Sequence, residues 1–181
     1  MTTQWQVRTG SAADLDLVGP LWVAVHHQHA QTMPQLAPYV SDDETWRVRR
    51  GLYEELLAKT DTLLLLALAG ETAVGYGLAH VLPVDETWIP DTWETGSRVG
   101  EIESLSVLPE YRGSGLGSEL LNRLEQHLHA TGVDDLILGA LPGNTGAIRL
   151  YERRGYQPTW LYLSQFQGRQ SVDLRRGHSH E

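Results

Sequence analysis

The chain has 181 residues, enough for one domain with a single core, and 41% hydrophobic against 20% charged residues excludes a disordered polymer. It contains no cysteine, so disulfides, thiolate nucleophiles and Cys-ligated zinc are excluded. A formal charge of −9 argues against a nucleic-acid partner, which calls for a basic face, and favours neutral or cationic ones.

In chain order, Gln4 to Arg8 alternates as a short strand. Ser11 and Asp14 resemble a capped helix start leading into Leu15, Val18, Leu21, Trp22 and Val25, with a bend expected at Gly19-Pro20. His26, His27 and His29 cluster near the end of that helix, but their spacing is poor ligand geometry and no metal is expected. Ser41 to Ala58 reads as a second helix, with Ser41 and Glu44 as a capping box. Thr62 to Ala69 and Thr72 to Val81 are apolar runs joined by Gly70-Glu71, a hairpin connection. Leu63 to Ala69, the longest apolar stretch, is too short to span a bilayer, and no basic-then-apolar leader is present. Cytoplasmic residence with no membrane partner is the default expectation.

A third run, Val99 to Leu108, completes a mainly antiparallel meander. Leu116, Leu120, Leu121, Leu124 and Leu128 then form a stripe of helical period. Val133 to Ala140 reads as a buried strand, Asn144 to Arg154 as a helix closed by Gly155, and Tyr156 to Phe166 as a final strand broken near Pro158. One domain over residues 1–166 with a polar tail over 167–181 is expected.

Between the third strand and the leucine-striped helix lies Arg112-Gly113-Ser114-Gly115-Leu116-Gly117. Glycines let backbone N–H groups converge, and the unpaired amides and positive dipole end of the following helix attract an anion. Arg112 adds a fixed charge. The spacing is not G-x-x-x-x-G-K-[ST], and a dinucleotide fingerprint from Gly113 and Gly115 would need glycine where Ser118 stands.

What remains is R-x-x-G-x-G after Val107-Leu108-Pro109, followed downstream by Asn144-Thr145-Gly146-Ala147-Ile148-Arg149-Leu150-Tyr151-Glu152-Arg153-Arg154-Gly155-Tyr156. With these two elements the chain resembles the GNAT superfamily of acyl-CoA-dependent N-acyltransferases, over about Gln4 to Phe166. The resemblance implies an α/β (α+β) fold, with a mixed, mostly antiparallel sheet of six to seven strands flanked by about four helices. It implies acetyl-CoA as co-substrate, with its pyrophosphate on Arg112, Gly113, Ser114, Gly115, Leu116, Gly117 and Ser118. Asn144 would bond the pantetheine arm, cap its helix, or both. Main-chain N–H groups around Leu105, Ser106 and Val107 would polarise the thioester carbonyl.

Acetyl transfer to an amine needs a base, because a primary amine is mostly protonated at neutral pH. Glu101 and Glu103 lie two apart on a predicted strand, on one face unless a bulge intervenes. Glu103 is favoured, with Glu101 binding the substrate cation or acting through water; either could instead be a solvated strand charge. Tyr151 occupies the family position of the general acid for the departing thiolate, where it could instead mainly hydrogen-bond and position the sulfur; an aromatic packing role is the alternative.

The acceptor expected is a small cationic amine. Asp85 to Glu94 mixes acids with Trp88 and Trp93, which suits such an amine, a self-packed loop, or a dimer contact. Tyr39, Trp46 and Tyr53 could line the same mouth. Rival readings are a binding module of this fold that holds acyl-CoA without turnover, and an acetyltransferase of protein N-termini or lysines. A homodimer is a family expectation.

Overall fold

The computed structural model describes residues 4–166, so the expected tail at 167–181 lies outside the described residues. The strands are β1 (Gln6–Thr9), β2 (Leu63–Ala69), β3 (Thr72–Pro83), β4 (Arg98–Val107) and β5 (Leu136–Leu138). The helices are α1 (Leu15–Thr32), α2 (Asp42–Leu57), α3 (Leu116–Ala130) and α4 (Thr145–Glu152). The sheet runs β1-β2-β3-β4-β5, antiparallel except for the parallel pair β4–β5.

Local chemistry sets the helix limits. Ser41 Oγ accepts the Glu44 amide at 3.3 Å and starts α2, as its capping pattern predicts. The Ser11 amide donates to the Asp14 carboxylate at 2.9 Å, opening a short turn ahead of α1. α1 then runs as one helix through Pro20. Asn144 Oδ1 accepts the Ala147 amide at 3.3 Å and starts α4, and Gly155 (φ +96°) follows its end.

The period of two along the strands sends side chains to opposite cores. Leu64 and Leu66 of β2 join Leu15, Val18, Leu21, Tyr53 and Leu56 of α1 and α2. Leu65 and Ala67 join the leucine stripe of α3 on the other face. Each fully buried leucine stabilises the fold by roughly 2 kcal/mol relative to exposure. α3 lies close enough to the sheet that a Cβ on Gly77 would meet Leu124 Cδ1 at 2.7 Å.

Five strands form among the described residues, against the six to seven expected. Val133 to Ala140 yields strand only at Leu136–Leu138, and these residues are half-buried. Tyr156 to Phe166 forms no strand. Pro158 has no N–H to give a ladder, and β5 offers only three residues of edge.

β4 carries a bulge that the sequence did not reveal. Leu78 pairs with Ser104 and Ala79 with Ile102, leaving Glu103 as the extra residue. Glu101 and Glu103, two apart, share the α1/α2 side, and the extra residue brings Ser104 to that side as well, whereas Ile102 and Leu105 pack with the α3 core.

Candidate active site

The β4–β5 ladder ends at Ile102↔Leu138 although β4 continues to Val107. Past that point the two strands part, and a cleft of about 540 Å³ opens along β4. Its walls include Leu105, Ser106 and Val107 of β4, the turn after Tyr111, and Asn144 and Tyr151 from α4. The Leu108 amide donates to Val74 O on β3 at 2.9 Å. Alternation therefore turns the amides of Leu105 and Val107 away from β3, towards the cleft.

Gly113 (φ +74°) and Gly115 (φ +88°) shape the turn, and both line the cleft with Gly117 and Ser118. A Cβ on Gly113 or Gly115 would meet nothing within 4 Å, so glycine stands there for its backbone conformation and leaves open space in front of the amides. Glu119 N bonds back to Gly115 O at 3.0 Å, and the amides of Leu116, Gly117 and Ser118 in the turn before it have no partner among the described residues. A diphosphate fits this cradle of free donors at a helix N-terminus. Ser114 Oγ donates to Tyr111 O at 2.6 Å, and the Leu116 side chain is fully buried; both side chains are structural. Arg112 donates from Nε to Val107 O at 3.0 Å and from a terminal nitrogen to Gln28 at 2.9 Å, so it braces the turn against β4 and α1 as well as adding charge.

Tyr151 is nearly buried on the cleft wall, and burial pushes its phenol above the ordinary value. The hydroxyl has no hydrogen-bond partner among the described residues, leaving a neutral donor on a residue of the cleft wall. Asn144 both caps α4 and lines the cleft.

α1 adds a wall that no motif indicated: Val25, Gln28 and His29. Burial, then the nearby charges of His26 and Arg49, hold the His29 imidazole below its ordinary pKa. The other histidines have separate duties. His26 Nε2 contacts Val40 O at 3.0 Å, and His27 Nε2 contacts Asp42 at 2.8 Å, a carboxylate fifteen positions away in the sequence.

The two glutamates lie on the same side of the sheet, beside the cleft but not on its lining. Glu101 Oε2 is 3.4 Å from Nε2 of the buried His80 on β3. Glu103 Oε1 accepts from Arg49 on α2, whose guanidinium lies 3.9 Å from the centre of the Trp22 ring. Burial pushes the Glu103 carboxyl above its ordinary value, Arg49 pulls it down, and Glu101 adds an upward push. His80, Glu101 and Glu103 bring three ligand-type atoms within 4.8 Å of one another, and Arg49 supplies the cation at this cluster. Sequence reasoning missed Arg49 and His80, which reach the glutamates only through tertiary packing.

The aromatic mouth residues are otherwise engaged. Tyr53 is fully buried and bonded to Tyr76 and Ser104, and Tyr39 donates to Met33 O. Trp46 packs edge-on to Tyr53. Trp88 and Trp93 pack edge-on against each other and against Trp160, so these two rings are engaged within the protein.

A family model described as "Acetyltransferase (GNAT) family" matches residues 22–156, well over half of the chain. The chain belongs to the GNAT family. This GNAT chain is 41% identical over 58 residues to a mycothiol acetyltransferase of Thermobispora bispora, covering 32% of this chain and 20% of that protein. It is 33% identical over 88 residues to a thialysine N-epsilon-acetyltransferase of Mus musculus, covering 49% and 46%. The match thus spans less than half the length of either relative. A solved structure of a predicted acetyltransferase of Clostridium acetobutylicum with acetyl-CoA superposes with a TM-score of 0.65 at 17% identity, covering 89% of this chain and 96% of that one, and shares the fold. Among the described residues, no helix is long and apolar enough to cross a membrane.

Proposed function

We propose that this chain is an N-acetyltransferase that joins the acetyl group of acetyl-CoA directly to the nitrogen of a small cationic amine, with both substrates held together. The observation that carries this reading is the cleft itself: free main-chain donors of β4, the glycine cradle and the Tyr151 hydroxyl line one continuous opening. Acetyl-CoA supplies an acyl carbon activated by its thioester. The amides after Gly115 hold its diphosphate, and those of Leu105 and Val107 are donors for the thioester oxygen. As the new N–C bond forms, the C–S bond breaks, and the sulfur keeps the electron pair.

Two protons then need places. The ammonium of the acceptor gives one to Glu103, whose Oε1 is held by Arg49 and whose Oε2 has no partner among the described residues. Burial makes this carboxylate more basic than an exposed one, which suits a proton acceptor. Glu101, fixed beside His80, adds negative charge that attracts the cation. On the leaving side, the raised phenol of Tyr151 stays protonated across the working pH range and donates a hydrogen bond to sulfur, which takes the second proton, shed by nitrogen as the amide forms, and leaves as the free thiol. The absence of cysteine is consistent with direct attack without an acyl-cysteine.

Incubation with acetyl-CoA and a panel of polyamines, amino acids and aminoglycosides, following free-thiol release, tests the reading. Turnover on at least one amine is expected; tight acetyl-CoA binding with none would make the chain a binding module. Tyr151→Phe is expected to lower kcat by about 10²-fold with acetyl-CoA affinity unchanged, checked by steady-state kinetics and calorimetry.

Arg49→Gln gives a signed pH test. Without the guanidinium, burial and Glu101 raise the Glu103 carboxyl further. The base must be ionised to act, so the acidic limb of the kcat/KM profile is expected to move to higher pH. Stability follows the same sign. A carboxyl raised in the folded state favours folding below its unfolded pKa and loses that advantage as pH rises through the folded value. Melting temperatures of Arg49→Gln should therefore fall relative to the parent protein as pH rises above the ordinary carboxylate range.

A further inference from the structure

The His80 side chain is only 7% exposed, and its polar atoms are poorly matched. Nδ1 is buried with no hydrogen-bond partner among the described residues. Nε2 stands 3.4 Å from Glu101 Oε2, beyond the range of about 2.7–3.2 Å for an N–H···O bond. Buried polar groups in native proteins are nearly always matched, so an imidazole left in this state marks a place for a ligand.

The neighbouring side chains supply the chemistry to hold one. His80 lies opposite Glu101 in the β3–β4 ladder, so both side chains project from the same face. Glu103, two residues further along β4, joins them, and one ligand-type atom from each of the three lies within 4.8 Å of the others. A tetrahedral ion with bonds of about 2.0–2.1 Å to nitrogen and oxygen spaces its ligand atoms by about 3.3–3.4 Å. His80 Nε2 and Glu101 Oε2 already stand at that spacing. Glu103 can turn to complete the set, because its Oε2 has no partner among the described residues and the last torsion of a glutamate is soft. Its Oε1 accepts from Arg49, whose guanidinium is held over the Trp22 ring, so the carboxyl is supported from behind as ligating carboxylates usually are. Two carboxylates against one guanidinium leave a net negative charge to meet a dication.

We infer that His80, Glu101 and Glu103 form a binding site for a zinc-type divalent cation, held by His80 Nε2 and one carboxylate oxygen from each glutamate, with the remaining position open to water. One imidazole nitrogen beside two carboxylate oxygens suits Zn²⁺ better than Mg²⁺ or Ca²⁺, which favour oxygen-only sets. The ligands stand on two paired strands, which gives them a rigid mount. An ion there takes up the carboxylates that the acceptor amine would use, so occupancy blocks the amine and spares acetyl-CoA. That consequence rests on the acetyl-transfer reading; binding of the ion does not.

Co²⁺ titrated into the untagged full-length protein, without substrates, reads the site through the visible absorption of a four-coordinate ion. One Co²⁺ per chain, displaced by Zn²⁺, is expected. Glu101→Gln and Glu103→Gln, tested singly and checked for folding by melting temperature, should each weaken Co²⁺ binding by at least about 10²-fold. His178→Ala/His180→Ala, which removes a histidine pair outside the described residues, should bind Co²⁺ as the parent does. The inference is overturned if the parent binds no Co²⁺, if both glutamine variants retain it, or if binding disappears with the His178 and His180 pair. Turnover separates this inference from the reading beneath it. A protein that transfers acetyl but binds no Co²⁺ loses only the ion site, whereas Co²⁺ that depends on both glutamates yet does not compete with the amine upholds the ion site and moves the amine elsewhere.

Discussion

Gly115→Trp is expected to weaken acetyl-CoA binding by at least about 10²-fold, measured by calorimetry with the free cofactor. Two effects combine. The residue sits at φ +88°, where an L side chain costs roughly 1–2 kcal/mol. Its side chain would also project into open space in front of the first amides of α3, displacing whatever rests there. Gly70 separates the two. It has φ +62° at the β2–β3 hairpin, also with nothing within 4 Å of a built Cβ, and it does not line the cleft. Gly70→Trp should carry a similar backbone cost, seen as a lower melting temperature, with cofactor affinity intact. If both variants bind acetyl-CoA normally, the diphosphate lies elsewhere and the proposed function loses its main support.

That contrast also shows what a sequence can carry. The cradle was legible because positive φ and amide access both demand glycine, so Gly113 and Gly115 announce themselves locally. The leucine stripe of α3 was legible for a similar reason: a helix packed on a sheet repeats every 3.6 residues, and Leu116 to Leu128 obeys this. The surroundings of the glutamates were not. Arg49 is 54 positions from Glu103, and nothing local to α2 distinguishes it from Arg47, which pairs with Glu44 on its own helix, or Arg50, which reaches Glu54 and Asp16. Which arginine faces the sheet depends on how α2 rolls against β3 and β4, a tertiary outcome. His29 stayed hidden among three neighbouring histidines because only the approach of α1 to the turn after Tyr111 puts it on the cleft wall. Residues 156–166 show the converse case: period-two chemistry reports that a segment can be a strand, while pairing depends on an edge being available.

The bulge at Glu103 gives the site a further geometric consequence. An unbroken β4 would place Ser104 on the α3 face, where its hydroxyl would enter an apolar core. The extra residue instead puts Ser104 within 2.6 Å of the Tyr53 hydroxyl, on the side where Glu103 meets Arg49. The same irregularity falls just past the last β4–β5 pair, where the strands part. One local defect in the ladder thus both turns Ser104 towards Tyr53 and stands at the opening of the cleft, consistent with bulges re-aiming side chains near active sites.

Glu103→Gln is expected to lower kcat/KM by about 10²-fold for an amine that is protonated in solution, leaving acetyl-CoA affinity unchanged. The amide is nearly isosteric and can still accept from Arg49, so packing is retained while the proton acceptor is lost. Glu101→Gln should act mainly on KM, because its proposed part is to attract the cation. The decisive comparison uses two acceptors of similar shape, one an ordinary alkylamine and one whose amine is already neutral at assay pH. A neutral amine needs no proton removed before attack, so its rate should fall much less in Glu103→Gln than that of the alkylamine. Equal losses for both would show that Glu103 orients the acceptor rather than deprotonating it. An unchanged acidic limb for the alkylamine would transfer the proton to Glu101 or to water.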